Sequence, residues 1–155
     1  MRAAALALVS ALAPVGLAGA AFAESAWCPD LKRLIDLTVT KEKFAYVAGA
    51  PREGDFRDTT MPLADWRDCA LYGTRTYLCE SQVFKTAGDA ETALATFVKD
   101  VEECLGESWS KDESRSSSDY AVLHSAQDPA AMTLGTDTTD NGEHIVRLTV
   151  FFRGR

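Results

Sequence analysis

The sequence predicts an α+β domain: an antiparallel sheet of about five or six strands, built from a hairpin and a C-terminal three-strand meander, with two helices packed on one face. Three observations carry this reading. An apolar stripe at helical spacing runs through Ala90, Ala93, Leu94, Phe97, Val98, Val101, Cys104 and Leu105. Two cysteines, Cys69 and Cys79, stand symmetrically about Tyr72-Gly73-Thr74-Arg75-Thr76. Three strand-like segments separated by turn residues close the chain.

Residues 1–23 read as a cleaved secretory signal, because Arg2 precedes an apolar run and Ala21-Phe22-Ala23 makes a small-residue cleavage site. Pro14, Gly16 and Gly19 interrupt the run, which argues against a transmembrane helix, and no second apolar stretch reaches spanning length. Residues 24–155 are then one exported domain, periplasmic or extracellular, with no membrane span. The Ala-rich signal fits a bacterial source.

In the mature chain, Leu31, Leu34, Ile35 and Thr38 recur at helical spacing behind Cys28-Pro29-Asp30, with Pro29 suited to a first turn. Residues 44–47 alternate as a brief strand. Residues 49–68, rich in Pro, Gly and charge, read as a long loop. Residues 69–84 form the hairpin, followed by the striped helix with Asp89 as N-cap and Gly106 as stop. Residues 107–118 are serine-rich and read as a mobile connection. Strands at 120–125, 131–136 and 143–153 follow, with turns at Asp128-Pro129 and Asp140-Asn141-Gly142.

Export gives the four cysteines a structural meaning: without a C-x-x-C they form two disulfides. A three-residue hairpin loop centred on Thr74 places Cys69 opposite Cys79, which leaves Cys28 for Cys104 if the two helices are antiparallel. The alternative, Cys28 with Cys69 and Cys79 with Cys104, also satisfies the spacing.

At 155 residues, 46% hydrophobic and 25% charged, the chain is a single domain and too apolar for a disordered protein. Loss of Arg2 with the signal leaves 15 basic against 23 acidic side chains, a net charge of −8. The cations are dispersed among acids, which argues against a nucleic-acid surface; the acidic excess serves solubility or, where it steers association, points to a basic partner.

The ingredients of catalysis are few. His124 and His144, the two histidines, fall at opposite ends of the C-terminal meander, roughly 15–20 Å apart at ~3.3 Å per residue. Ser108-Trp109-Ser110-Lys111 spells S-x-x-K, but past a helix stop rather than at the head of a buried helix. Asp137, Asp140 and Glu143 are oxygen donors without EF-hand spacing, and a solvated turn accounts for them. Glu102 and Glu103 are adjacent and diverge on a helix. No catalytic residue, metal site or cofactor is therefore expected.

The long loop invites a functional reading, since Phe56, Met61 and Trp66 are interleaved with Asp55, Asp58 and other charges, the pattern of interface anchors within a polar rim. Trp66, three residues before Cys69, also suits a core plug beside a disulfide. The sequence thus points to a non-enzymatic, exported protein-binding module, of the inhibitor or immunity type, for a basic partner. The alternatives are a small envelope hydrolase or a small-ligand carrier holding its ligand between sheet and helices.

Overall fold

A computed structural model describes residues 25–153; the signal-peptide reading of residues 1–23 lies outside the described residues. Helix α1 (Cys28–Leu37) begins on Pro29, whose missing N–H costs nothing in a first turn, and buries Leu31, Leu34 and Ile35 along one face. Thr38 ends it, donating its hydroxyl to the Ile35 carbonyl at 2.6 Å. Residues 43–47 are not a strand but a 3-10 turn, Lys43–Val47. The reason is the spacing of its apolar side chains: Phe44 and Val47 are buried at i and i+3, whereas Tyr46, which alternation would place beside Phe44, is 63% exposed.

The next segment corrects the expectation of an unstructured loop at 49–68. It folds into an edge hairpin, β1 (Ala48–Pro51) and β2 (Phe56–Thr59), with β2 paired antiparallel to β3 (Asp68–Tyr72). Strand β3 forms the expected hairpin with β4 (Thr76–Glu80), and Cys69 faces Cys79 in its register. The Gly73 backbone, at a φ of 59°, takes the left-handed conformation that the turn requires.

Helix α2 (Ala87–Leu105) is capped by Thr86 rather than Asp89. The Asp89 N–H donates to the Thr86 hydroxyl at 3.1 Å, which leaves Asp89 in the first turn, where a carboxylate meets the positive end of the helix dipole. Gly106, at a φ of 76°, stops the helix as expected. Beyond it, the serine-rich connection carries structure of its own: a short edge strand β5 (Trp109–Lys111) and a 3-10 turn, Glu113–Arg115. Strands β6 (Tyr120–Ser125), β7 (Ala130–Thr138) and β8 (His144–Phe152) complete the chain.

Among the described residues the strands form one antiparallel sheet of eight, in the order β1-β2-β3-β4-β8-β7-β6-β5, where five or six were expected. Two four-stranded meanders meet at the β4–β8 pair, and α2 connects them. Helix α2 packs on β7 and β8, and α1 packs on α2, which covers one face of the sheet. That face is apolar row by row. Leu71, Tyr77, Val150, Met132 and Leu123 are successive register partners on β3, β4, β8, β7 and β6, and all are fully buried. Cys69, Cys79, Leu148, Leu134 and Ala121 form the next row, so the Cys69–Cys79 disulfide is part of the core. The second disulfide joins Cys28 to Cys104, with Cα atoms 5.7 Å apart, and ties the start of α1 to the end of α2. No cysteine is free.

Tyr77 brings a polar group into this core and satisfies it by donating its hydroxyl to the Met61 carbonyl at 2.9 Å. Burial pushes its pKa well above the ordinary tyrosine value. A raised folded-state pKa contributes stability that is present below about pH 10 and is lost at higher pH, where the unfolded chain ionises and the folded one resists. Urea midpoints measured from pH 8 to 11 should therefore fall above about pH 10, and fall less steeply in Tyr77→Phe. Equal slopes in the two proteins would show that Tyr77 is not the group responsible.

Candidate functional site

With both helices on one side, the other face of the sheet is left without a helix over it, and strand alternation decides which side chains it displays. Phe56 and Tyr72 are register partners on β2 and β3, their ring centroids 5.2 Å apart. They are 39% and 49% exposed, large for aromatic side chains paired across strands. The same row continues through Thr76, Phe151, Ala131 and His124 on β4, β8, β7 and β6. An aromatic belt thus crosses one end of the open face.

The opposite end of the strands carries a belt of ions. Asp68, Glu80 and Arg147 are register partners on β3, β4 and β8. Arg52 reaches Asp58 at 2.6 Å and Asp68 at 2.8 Å. Donation to the Asp68 and Asp58 carboxylates raises the Arg52 pKa beyond its already high value. Arg67 lies between Glu80 and Glu143, at 3.6 and 3.7 Å, and Arg147 between Glu80 and Asp137. Each guanidinium faces two carboxylates. These pairs are solvent-exposed, so their contribution to stability is small; their effect is to fix where the charges stand.

The residues singled out in sequence separate into two groups. Phe56, Asp55 and Asp58 are on the surface. The Asp55 carbonyl accepts the Gly73 N–H at 3.1 Å, which ties the tip of the first hairpin to the turn of the second. Beside Phe56, a hollow of about 280 Å³ is lined by Asp55, Arg57 and Gly73. Met61 is half-buried against the core, and Trp66 is 8% exposed, packed between Trp27 and Phe97 with ring centroids 6.3 and 4.9 Å away. Trp66 is therefore a core plug. Tyr72 was missed by the sequence reading, although the hairpin register that pairs the cysteines, extended to the preceding strand, is the signal that places it beside Phe56.

The residue types of a hydrolase do meet at the β5–β6 edge, where Ser110 is the register partner of His124 and Asp112 follows two residues later. They do not form a relay. The Asp112 carboxylate accepts from the Ser114 hydroxyl at 2.6 Å and from its N–H at 3.1 Å, bonds that lower its pKa. Among the described residues no side-chain hydrogen bond joins Ser110 to His124 or His124 to Asp112. His124 and His144 pair with Ala131 and Thr138, seven residues apart on β7, or about 23 Å at ~3.3 Å per residue. Glu102 and Glu103 diverge, one toward the Lys111 N–H and the other toward Lys99. Among the described residues no group of three or more His, Cys, Asp or Glu is placed to hold a metal ion, and no helix is long and apolar enough to cross a membrane.

Comparison with protein-family models, with curated proteins and with solved structures finds no significant match to this chain. The class defined by fold and surface is an α+β domain with two disulfides and one open sheet face, aromatic at one end and ionic at the other.

Proposed function

We propose that the protein is an exported, non-enzymatic binding module that engages a basic protein partner through the aromatic end of its open sheet face. One observation carries the reading: Phe56 and Tyr72 pack against each other at a tilt yet remain exposed on the face that neither helix covers. Aromatic side chains that offer large area at small conformational cost, bordered by charges, are the usual anchors of protein interfaces. A net charge of −8 after loss of the signal supports a basic partner, drawn in by long-range attraction that salt screens. The two disulfides support export, because such bridges persist in oxidising compartments.

A photo-crosslinking side chain placed at Tyr72, with Glu91 on the exposed side of α2 as control position, tests the face directly. Irradiation in the producing cell envelope should give an adduct with a basic protein from position 72 only, in lower yield at high salt. Phe56→Ala should weaken the complex by about 2 kcal/mol, or ~30-fold, mainly through faster dissociation. The same adducts from both positions, or an adduct indifferent to Phe56→Ala, would overturn the proposal.

A further inference from the structure

At the β6 edge of the same open face, the 3-10 turn Glu113–Arg115 lies beside β6 and closes one side of a cleft of about 500 Å³. The floor is apolar: Val122 and Ala131 are each 3% exposed, and Phe151 is the register partner of Ala131. The rim is cationic, which is unusual in a chain with so large an acidic excess. Arg115, Arg153 and His124 line it against a single carboxylate, Asp112.

The rim groups differ in how they are engaged. The Asp112 Oδ1 accepts from both the Ser114 hydroxyl and the Ser114 N–H. Arg153 donates from Nη2 to the carbonyls of Ser125 at 2.7 Å and Asp128 at 3.2 Å, neutral acceptors that hold the guanidinium in place without cancelling its charge. Arg115 joins none of the ion pairs of the described residues. A guanidinium held in place by neutral acceptors and a second one outside the ion pairs of the described residues, above an apolar floor, match a ligand with one anionic head and an apolar body.

We propose that this cleft binds a small organic monocarboxylate, its carboxylate between Arg115 and Arg153 and its apolar body on Val122, Ala131 and Phe151. The apolar floor selects the body: a carboxylate with an apolar ring gains burial on Val122, Ala131 and Phe151 that inorganic phosphate cannot. The cleft lies on the same row as the Phe56–Tyr72 pair, on the other side of Thr76, and its assignment does not rest on the reading of that pair.

Titration calorimetry of the mature, oxidised protein with naphthoate, naphthamide and inorganic phosphate tests the proposal. Naphthoate should saturate a single site, with the amide and phosphate at least about tenfold weaker. Arg115→Gln, which removes an exposed side chain, should weaken naphthoate about tenfold, whereas Lys41→Gln, which removes the same charge elsewhere, should leave it unchanged. Failure of naphthoate to saturate, equal binding of the amide, or indifference to Arg115→Gln would each overturn the assignment.

Discussion

Replacing Cys28 and Cys104 together by alanine should lower stability by about 4.5 kcal/mol, the chain-entropy value for a bridge spanning a sequence separation of 76 residues. The same replacement of Cys69 and Cys79, whose separation is 10, should cost about 2.8 kcal/mol from chain entropy. The order follows from the unfolded state: the longer bridge removes more conformations from it. The folded state adds a local reason. Helix α1 packs on α2 and on the turn Lys43–Val47, so its attachment at Cys28 holds an element that otherwise borders the core from outside the sheet. Urea unfolding of the two double variants measures both costs, and amide exchange should be fastest in α1 of the Cys28 and Cys104 variant. A larger loss from the Cys69 and Cys79 replacement would mean that packing in the buried Cys69–Cys79–Leu148 row outweighs chain entropy.

How far the sequence is legible depends on whether a segment's pattern is set by the core. The α2 stripe, the cysteine-pinned register of β3 and β4, and the three C-terminal strands all bury one side, and their periodicity shows it. Strands β1 and β2 were hidden because an edge hairpin needs little burial: Pro51, Gly49 and Gly54 and the charges around them serve a twisted edge as well as a loop. Strand β5, from Trp109 to Lys111, is too short for any alternation to register. The candidate surface was legible only in part, because Tyr72 becomes a partner of Phe56 only once β2 is known to pair with β3. The cleft beside the turn Glu113–Arg115 was illegible, since Arg115, His124 and Arg153 come together through a fold-back that no local pattern records.

Trp66 and Phe56 belong to the same aromatic-and-charge segment, yet their replacement should have opposite consequences. Trp66→Ala should cost about 3–5 kcal/mol, because it removes the ring between Trp27 and Phe97 and leaves a cavity that the disulfide-bound neighbours of the core cannot collapse to fill. Phe56→Ala should cost less than about 1 kcal/mol, since the ring is 39% exposed and loses one aromatic neighbour, Tyr72. The turn that delivers Trp66 is itself specific: its N–H donates to the Leu63 carbonyl, and Asp65 takes a left-handed conformation at a φ of 65°, which an Asp tolerates better than a branched residue. Partner binding separates the two residues further. The Trp66→Ala protein should lose binding only in proportion to its unfolded fraction, whereas Phe56→Ala should lose it while fully folded. Urea midpoints that shift equally for the two, or a folded Phe56→Ala protein with undiminished binding, would show that the segment is not divided into a structural half and a recognition half.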